Sequence, residues 1–539
     1  MTLGRAEAQQ SLFDDVTEFC DATLAPDSTY AFLHREREQL FPDELFADLF
    51  VEHGRRSVPP SVVATVMVLQ RLAGCSDREA VERYTFDARW RYAAGVGGYD
   101  GGGRQRFVHT VLVEMRERLR RSARPDRVFA ATLQAARAAR LVGRHRVLDS
   151  APLYDAVTTM DTVTLIRSAL RGLLRAVDAE LAGELRGALG SGDDYASAAK
   201  PQIDWDDAAE REALIDSRAQ DGLACLARLE GRSLSPEVEA AMHLLATVVG
   251  QDLEAGADGR LRIARRVAPD RVLSTVDPEA RHGHKTAAHG FDGYKGHVAV
   301  DPDSELITAT AVTPGNAGDA SVAAGLIDDL LPAARDTERE HVSAEETVGG
   351  AEVPIVYGDQ AYGTGGFQEL LDEAGISSRC KTQQPSAPGG RFTKDRFAVD
   401  LLAGTVTCPA AVSVPLQRRP AGHRIARFGA ACATCPLRAD CTTDPRGRSI
   451  QVSVHEAALA RAREQQTDPL WRADYRATRP KVERKLAHLL RRKHGGRHVR
   501  VRGTRRIDSD FRWLAAAVNL ARLAILGLRW RPATGWATA

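Results

Sequence analysis

No stretch of the 539-residue chain approaches the ~20 consecutive apolar residues that a membrane-spanning helix needs. The first residues, MTLGRAEAQQSLFDD, lack the basic and then apolar segments of a secretory signal peptide. Net charge is also nearly absent, because the formal value is +1, and the charge of the whole chain therefore indicates no class of partner. We expect a cytoplasmic protein without a membrane partner.

Cysteine is scarce, since eight residues in so long a chain cannot form the dense disulfide framework of a small secreted protein. Four of them, Cys20, Cys75, Cys225 and Cys380, are scattered, and we expect ordinary buried residues there. The other four have the spacing C-x23-C-x2-C-x5-C, which favours a structural zinc site over buried thiols or a redox pair. These are Cys408, Cys432, Cys435 and Cys441.

The segment SVPPSVVATVMVLQRLAGCSDREAVERY predicts two helices joined by a tight turn. Pro59 and Pro60 suit the first turn of a helix, and Gly74 suits its end. Ser76 and Glu79 have the spacing of a capping box for the second helix. Helix, glycine-containing turn and helix is the plan of a helix-turn-helix, although a plain helical hairpin has the same pattern.

Two short apolar runs, HRVLD and VPIVYGD, each end in an aspartate, at Asp149 and Asp359. Between them, YKGHVAVDPDSELITATAV predicts a β-hairpin around the turn DPDS. Helices near 320–331 and 366–374 and a strand in ISSRCKT complete a mixed α/β order, in which strand ends often carry catalytic groups. A lone aspartate after a strand is more often a turn or capping residue, so the two gain weight only together.

A third carboxylate lies on a helix predicted over 474–493. Arg476, Arg479 and Glu483 have the i, i+3, i+7 spacing of one helix face. That face lies beside an apolar stripe, so it is well placed to border an active site. The stripe consists of Val482, Leu486, Leu489 and Leu490.

Three carboxylates suit the chemistry of divalent metal ions. Mg²⁺ prefers oxygen ligands, and two ions ~3.5–4 Å apart can share one aspartate while each takes one further ligand. One ion then activates an attacking water or 3′-hydroxyl, and the other stabilises the leaving oxygen. Asp149, Asp359 and Glu483 are therefore candidate ligands for two Mg²⁺ or Mn²⁺ ions.

The region around Glu483 is strongly basic. From Arg476 to Arg506 there are thirteen lysines and arginines and a single acid, Glu483. On a chain of almost no net charge, this concentration predicts a phosphate-binding surface and hence a nucleic-acid partner. A solvated basic face or tail is the plainer interpretation, but apolar residues interleave, and the amphipathic segment DFRWLAAAVNLARLAIL follows.

Together these motifs make the sequence similar to bacterial insertion-sequence transposases of the DDE type. VYGDQAYG resembles the motif of their second catalytic aspartate, and YRATRPKVE resembles the start of their Tyr-Arg-Glu-Lys signature. VDPEARHGHKT, GYKGHVAVD and TPGNAGDA resemble their central strands, and RWLAAAVNLARL resembles their closing helix. Tyr475 departs from the signature by one position, and Leu490 stands where a lysine is expected.

The resemblance implies a ribonuclease H-like core and a DDE triad of Asp149, Asp359 and Glu483. Asp155 is a rival for the first position, and we favour Asp149 because it ends the apolar run. The implied function is transposition: binding of terminal inverted repeats in double-stranded DNA, cleavage, and transfer of the 3′-hydroxyl ends to target DNA. A homodimer or higher oligomer on nucleoid DNA is also implied, because two element ends must be joined.

The resemblance and the local charge together predict a set of DNA contacts. Arg491 and Lys493 are candidates to replace the missing lysine of the signature. Of the histidines at 282, 284, 289 and 297, we expect surface or DNA contacts rather than a metal site, since no cysteine or carboxylate spacing completes one. The predicted DNA-binding residues are Lys285, Lys295, Tyr475, Arg476, Arg479, Arg491 and Lys493.

The predicted organisation has an N-terminal helical domain and a catalytic core with two insertions. The helical, helix-turn-helix-like DNA-binding domain covers 1–125, and the ribonuclease H-like domain covers 140–526. Its insertions are a helical one over 160–265 and a Cys-rich one over 385–465, and a tail follows over 527–539. Two alternatives stay open, namely a nuclease without strand transfer and a non-catalytic DNA-binding protein derived from a transposase.

Overall fold

The computed structural model describes most of the chain. The described residues are 15–97, 106–155, 159–193, 195–266, 268–286, 289–332 and 353–538. They form helices, a mixed central sheet and several smaller sheets, so the expected α/β class is confirmed. Within these ranges, no helix combines the length and the apolar composition needed to cross a membrane.

The N-terminal region is helical, and its third helix is almost entirely buried. That helix begins with a proline pair and ends at Gly74, whose φ of 64° is the left-handed conformation that favours glycine. Ser76 caps the next helix by accepting the N–H of Glu79 at 3.2 Å. The sequence signals for both helices are therefore confirmed. The helices are α1 (Asp15–Thr23), α2 (Thr29–Leu40), α3 (Pro60–Ala73), α4 (Asp77–Phe86), α5 (Ala88–Ala93), α6 (Thr110–Arg121) and α7 (Arg127–Ala138).

The turn between α3 and α4 packs directly against a C-terminal loop. A Cβ atom on Gly74 would lie 2.5 Å from the carbonyl oxygen of Lys493, so only glycine fits there. Arg71 donates to the carbonyl of His494 at 3.2 Å, and His494 Nδ1 lies 2.7 Å from the carbonyl oxygen of Leu72. The α3–α4 segment is thus joined to the basic segment of the chain.

A helical block follows the first strand, β1 (His145–Tyr154), and has a hydrophobic core of its own. Leu165, Leu170 and Leu245 are fully buried in that core. The block falls within 160–265, where the sequence predicts a helical insertion. Its elements are α8 (Thr162–Ala176), α9 (Ala179–Gly187), α10 (Ala208–Leu229), α11 (Pro236–Gln251), β2 (Leu253–Ala255) and β3 (Leu261–Ile263).

The central sheet has β1 in its middle. The strands run in the spatial order β6, β5, β1, β7, β8, and a further strand, β4, pairs with the start of β5. β1 is antiparallel to β5 and parallel to β7, and β8 is parallel to β7. The predicted hairpin is β5 and β6, whose turn is organised by Asp301 accepting the N–H of Ser304 at 2.8 Å. The ranges are β4 (Arg281–Thr286), β5 (His289–Val300), β6 (Ile307–Pro314), β7 (Ile355–Gly358) and β8 (Ser377–Cys380).

Two local predictions for this region are wrong. β1 continues beyond Asp149 to Tyr154, because Ala151 and Leu153 are buried and the strand stays paired with β5. Asp149 therefore lies within a strand rather than at its end. The helix predicted near 320–331 is one α-helical turn, α12 (Ala323–Leu326), between two 3₁₀ turns; it contains glycine and is followed by two aspartates, which are weak helix formers.

The two faces of the sheet are covered by different elements. On one face, Val147, Ala151 and Val298 belong to a hydrophobic cluster that also contains the N-terminal helices. No break in this packing separates the described N-terminal helices from the sheet. On the other face, Leu148 packs against α12 and α13 (Gly365–Glu373). Because successive side chains of a strand point to opposite faces, Asp149 and Ser150 lie on different sides of the sheet.

The Cys-rich segment forms a small β-module with few buried apolar residues. Phe397, Val406 and Ile450 are among those in its core. The module falls within 385–465, where the sequence predicts an insertion. Its elements are β9 (Ala398–Asp400), β10 (Thr405–Thr407), β11 (Ser413–Pro415), β12 (Gln417–Arg418), β13 (Arg424–Arg427), α14 (Arg438–Cys441) and β14 (Ser449–Val452).

The C-terminal region consists of long helices and a hairpin. The apolar stripe predicted around Glu483 is confirmed for Val482, Leu486 and Leu489, whereas Leu490 is a partly buried C-cap residue. The segment predicted as a tail instead forms a hairpin, because Leu528 is buried and Trp530 donates its N–H to Glu36 at 3.0 Å. The elements are α15 (Glu456–Gln465), α16 (Pro469–Leu489), α17 (Thr504–Ile525), β15 (Leu528–Arg531) and β16 (Gly535–Thr538).

The link between α17 and β6 gives a prediction for stability. Asn519 accepts the N–H of Ile307 at 2.9 Å and donates to its carbonyl at 2.7 Å, in a fully buried position. Asn519→Leu leaves both backbone groups without partners, so we expect the free energy of unfolding to fall by about 2–4 kcal/mol, measured from the urea midpoint. The control Asn316→Leu, at an exposed site, should change it by less than about 0.5 kcal/mol. Equal stability of Asn519→Leu and wild type would contradict this role.

Candidate functional site

The parallel pairing of β1 and β7 places Asp149 beside Asp359. In that pairing Val147 lies opposite Tyr357. Asp149 comes two residues after Val147, and Asp359 comes two residues after Tyr357. β7 ends at Gly358, so Asp359 stands at the carboxyl end of the strand, as predicted. Two carboxylates that are far apart in sequence therefore lie at neighbouring positions of the sheet.

Asp359 also begins a tight turn. Its carboxylate accepts the N–H of Ala361 at 2.9 Å, and its carbonyl accepts the N–H groups of Tyr362 and Gly363, both at 3.2 Å. A Cβ atom on Gly363 would lie 1.7 Å from the carbonyl oxygen of Lys381, so this position requires glycine. The turn thus fixes the direction in which the Asp359 side chain leaves the strand.

Helix α16 is fastened to the same part of the sheet by its N-terminal half. The carboxylate of Asp474 accepts the hydroxyl of Tyr357 at 3.0 Å and Arg379 Nε at 3.1 Å. Trp471 donates its indole N–H to the carbonyl of Ser378 at 3.2 Å. These contacts with β7 and β8 set the rotation of the helix, and its next turns therefore pass over β1.

Arg479 on α16 joins all three predicted catalytic carboxylates. Its guanidinium makes two contacts with Asp149, at 3.0 Å from Nη1 to Oδ2 and 2.8 Å from Nη2 to Oδ1. Nη2 lies 4.0 Å from Asp359 Oδ2, and Nη1 lies 3.9 Å from Glu483 Oε1. The structure therefore brings Asp149, Asp359 and Glu483 around one cation.

The site holds several negative charges in a partly buried place. Burial raises the pKa of Asp359, and the charges of Asp149 and Asp319 add to that rise, while the N–H of Ala361 and the charge of Arg479 oppose it. Burial alone lowers the pKa of Arg479, but the hydrogen bond and charge of Asp149 outweigh it, so the net pKa is raised. Arg479 is therefore a fixed positive charge that offsets the repulsion among the carboxylates.

The donor set fits magnesium or manganese. The described side chains, as they are placed, include no group of three or more His, Cys, Asp or Glu residues arranged to hold one metal ion. At the three carboxylates, the guanidinium of Arg479 lies between the groups. All three donors are carboxylates, the ligands that Mg²⁺ prefers, and they already converge on a cation. The side chain of Glu483 is 62% exposed, so it can reorient without disturbing the core.

Two residues predicted to contact DNA are placed inside the protein instead. Tyr475 is buried and stacks on Trp471, with ring centroids 5.2 Å apart, because its helix face packs against β8. Lys295 is 16% exposed and donates to the carboxylate of Asp319 and the carbonyl of Ala317, both at 2.8 Å. Residue type suggested phosphate contacts for both, but their strand and helix faces point inward, so neither assignment is retained.

Four of the other predicted DNA contacts are exposed, whereas Arg479 is buried against Asp149. Arg476, Arg491, Lys493 and Lys285 all lie at the surface. The basic segment after α16 also runs along the end of β1. There the N–H of Tyr154 donates to the carbonyl of Arg497 at 2.8 Å, and the carbonyl of Tyr154 accepts the N–H of Val499 at 3.0 Å. The basic surface therefore continues along the strand that carries Asp149.

Asp155 and His282 lie near the far end of β1, whereas His297 is buried within the sheet. Asp155 follows the far end of β1, where its N–H donates to the carbonyl of Asp292 at 3.1 Å. His282 is exposed, and its Nδ1 lies 2.7 Å from Oδ1 of the Asp292 side chain. The surface location expected for His297 is wrong: it is fully buried, and burial lowers its pKa to about 4, so it is neutral near pH 7.

Sequence reasoning missed three residues next to the carboxylates. Asp319 is buried, and its charge contributes to the raised pKa of Asp359. Ser150 donates its N–H to Asp149 Oδ1 at 2.9 Å, and Tyr362 lies in the turn that Asp359 begins. The segment TPGNAGDA contains Asp319, so the signal was available, but no spacing rule links that aspartate to β1.

The four clustered cysteines line one small cavity in the β-module, together with Phe392 and Arg448. All four are free thiols, and the N–H of Arg448 donates to Cys432 Sγ at 3.4 Å. Burial raises the pKa of Cys441, and Arg448 opposes this effect. The other four cysteines are buried, as predicted.

Two separate segments of the chain match family models of transposases. Residues 407–524 match the model described as "Transposase DDE domain", and residues 22–118 match "Transposase domain (DUF772)". No curated protein and no solved structure matches the chain. The first match includes Arg479 and Glu483, the second includes α3 and α4, and both indicate a transposase role.

The raised pKa of Asp359 predicts a pH-dependent effect on stability. In the unfolded chain, Asp359 loses its proton at the ordinary carboxyl pKa, whereas in the folded protein it loses the proton only at a higher pH. The free energy of unfolding therefore decreases as the pH rises from the pKa of the unfolded chain to the pKa of the folded protein. Without added Mg²⁺ or Mn²⁺, we expect Asp359→Asn to have a higher melting temperature than wild type at pH 7. The difference should shrink as the pH falls toward the carboxyl range.

Differential scanning fluorimetry from pH 7 downward measures this difference. Glu483→Gln is the matched control, because its exposed side chain should change stability by less than about 0.5 kcal/mol. A melting temperature of Asp359→Asn below that of wild type at pH 7 would contradict the charge argument.

Proposed function

We propose that this protein is a DDE transposase that binds the inverted-repeat ends of an insertion sequence, cleaves DNA and transfers the 3′-hydroxyl ends to target DNA. The observation that carries this proposal is the convergence of Asp149, Asp359 and Glu483 on Arg479. The two transposase-domain matches support it from separate parts of the chain.

The topology of the sheet supports a ribonuclease H-like core. A central β1, antiparallel β5 and β6 on one side, and parallel β7 and β8 on the other agree with the fold that the resemblance implies. The first two carboxylates leave adjacent parallel strands, and the third comes from a helix packed across them. This arrangement explains how residues so far apart in sequence serve one reaction centre.

Asp149, Asp359 and Glu483 would hold two Mg²⁺ or Mn²⁺ ions, which when bound supply activation of the attacking oxygen and stabilisation of the leaving oxygen in phosphoryl transfer. Arg479 orients Asp149 through its paired contacts and lowers the repulsion among the carboxylates before metal binds. Its side chain is only 9% exposed, but its planar guanidinium lies beside the carboxylates where a reacting phosphate would bind, so we propose that it contacts the DNA backbone there.

The exposed basic residues form the DNA surface of the proposed enzyme. Arg476, Arg491, Lys493 and Lys285 would contact phosphates, and binding should therefore weaken steeply with salt. The α3–α4 segment is joined to this basic loop and would read the repeat ends. Since two ends must be brought together, the active form would be a dimer or a higher oligomer.

A second candidate function is DNA binding without strand transfer. Leu490 in place of the signature lysine is the observation that favours it, because leucine cannot make the phosphate contact implied for that lysine. Pre-cut repeat ends with a free 3′-hydroxyl separate the candidates. A transposase joins them to target DNA, whereas a nuclease or a DNA-binding relative does not.

Cleavage of the cognate ends tests the proposal. We expect the full-length protein to cut labelled DNA that carries its own flanking inverted repeats when Mg²⁺ is present. Asp359→Asn should retain DNA binding and reduce cleavage to below about 1% of wild type, because a carboxylate ligand is lost. Electrophoresis of the labelled strands and a gel-shift assay give the two readouts.

Asp372→Asn is the matched control for that experiment. Asp372 is a surface carboxylate on α13 that pairs with Arg461, so cleavage should stay at the wild-type level. Cleavage by Asp359→Asn at the wild-type rate would refute the assignment of the site. Specific binding without cleavage by wild type would favour the DNA-binding candidate.

We also propose a structural zinc ion in the β-module, held by Cys408, Cys432, Cys435 and Cys441. Their thiols line one cavity, and a backbone N–H already points to a sulfur. Rotation about the Cα–Cβ bonds is needed to bring the sulfurs around one ion. A module with so small an apolar core gains folding free energy from a metal ion, which supports the assignment.

The zinc content of the purified protein tests this proposal. We expect about one zinc ion per chain by mass spectrometry of the metal, as for a Cys₄ site. The double variant Cys432→Ser, Cys435→Ser should lose it, and the control Cys20→Ser, Cys225→Ser should keep it, since those thiols lie in other hydrophobic clusters. Zinc retained by the first double variant would refute the site.

A further inference from the structure

A buried charged network lies behind Asp149, on the opposite face of the sheet. Asp149 faces the side covered by α16, as its contact with Arg479 shows. Ser150, the next residue of β1, points to the side covered by α12 and α13. Any group that holds Ser150 therefore acts on Asp149 through the backbone of the strand.

Asp319 is the group that holds Ser150. Its Oδ2 accepts the hydroxyl of Ser150 at 2.5 Å, and its Oδ1 accepts Lys295 Nζ at 2.8 Å. The carboxylate is only 8% exposed and its partner Lys295 only 16%, so the pair is a permanent part of the interior. A buried carboxylate needs such a counter-ion, and Lys295 keeps this side of the sheet close to neutral.

The backbone of Ser150 completes the connection. Its N–H donates to Asp149 Oδ1 at 2.9 Å, the same oxygen that Arg479 Nη2 approaches at 2.8 Å. Asp149 is therefore oriented by two groups, a guanidinium on one side and the peptide of Ser150 on the other. The hydroxyl contact with Asp319 keeps that peptide in place.

A second limb of the network reaches the turn of Asp359. The hydroxyl of Tyr362, within that turn, lies 3.0 Å from His297 Nδ1, and His297 Nε2 lies 2.9 Å from the hydroxyl of Thr313. His297 is the residue opposite Ser150 in the pairing of β1 with β5. Ser150 and His297 are therefore neighbours in the sheet. The contacts of Ser150 support Asp149, and the contact of His297 with Tyr362 supports the turn of Asp359.

We propose that Asp319 is a positioning residue of the catalytic site, which with Lys295 holds Ser150 and thereby sets the orientation of Asp149. This inference rests on the proposed function, because it concerns the carboxylate site of that reaction. A direct role for Asp319 as a metal ligand does not fit, since Ser150 and Lys295 occupy both of its oxygens and the sheet separates it from Arg479.

Binding of Mn²⁺ to the full-length protein, without DNA, tests the proposal independently of cleavage. Ser150→Ala removes the hydroxyl link and leaves every charge in place. We expect the Mn²⁺ concentration for half-saturation to rise about 10-fold, as for loss of a group that orients a ligand. Ser150→Thr restores the hydroxyl and should bind within about 2-fold of wild type on the same argument.

A double variant tests the role of Asp319 itself. Lys295→Met with Asp319→Ala removes the ion pair without leaving a lone buried charge, and it should weaken Mn²⁺ binding to the same degree as Ser150→Ala. The control is Asp221→Asn in the helical block, where a buried carboxylate accepts the hydroxyl of Tyr195 at 2.6 Å. That variant should lower the melting temperature and leave Mn²⁺ binding unchanged.

Calorimetric titration and the Mg²⁺ dependence of cleavage supply the two readouts. Wild-type Mn²⁺ affinity in both Ser150→Ala and the double variant would overturn the proposal. It would also be overturned if Asp149→Asn bound Mn²⁺ as wild type does, or if wild type bound none. Weakened Mn²⁺ binding in these variants, together with no cleavage of any DNA by wild type, would support the positioning role while refuting the proposed transposase.

Discussion

The paired contact between Arg479 and Asp149 is the interaction on which the arrangement of the site depends. It joins a residue of the last long helices to the central strand of the sheet, and it is almost closed off from solvent. Three carboxylates could not stay so close without a compensating charge, because their mutual repulsion would separate the elements that carry them. Arg479 supplies that charge within the chain and at the same time sets how α16 crosses the sheet.

Different residues of strand β1 contact different parts of the protein. Asp149 faces α16, Ser150 faces the buried network of Asp319, and Tyr154 pairs with the basic loop that follows α16. Because a strand is stiff over this length, a displacement at any of these positions is transmitted to the others. The central place of β1 in the sheet, with a neighbour on each side, is what makes it suitable for this task.

Local signals in the sequence were sufficient for much of the fold. Gly74 and Ser76 were correctly assigned to the boundary of two helices, and Asp359 to the end of a strand, because a turn or cap is decided by residues close in sequence. The spacing on α16 likewise predicted that Arg479 and Glu483 share a helix face. In the structure, Arg479 Nη1 lies 3.9 Å from Glu483 Oε1.

The errors concern features that depend on distant partners. Lys295, Tyr475 and His297 have side chains typical of a DNA surface, yet each lies on an inward face, and residue type alone does not specify the face. Ser150 and Asp319 could not be linked from the sequence, since their contact crosses 169 positions. The family resemblance suggested the triad, but only the paired strands showed how Asp149 and Asp359 come together.

The order of the site residues along the chain has a consequence for biosynthesis. Asp149 and Asp359 are made first, and the helix with Arg479 and Glu483 emerges from the ribosome only after both of them. A nascent or prematurely terminated chain therefore carries two neighbouring carboxylates without the guanidinium that neutralises them. Such a product should fold poorly, because its two neighbouring carboxylates repel each other and the buried residues of α17 are missing from the main core.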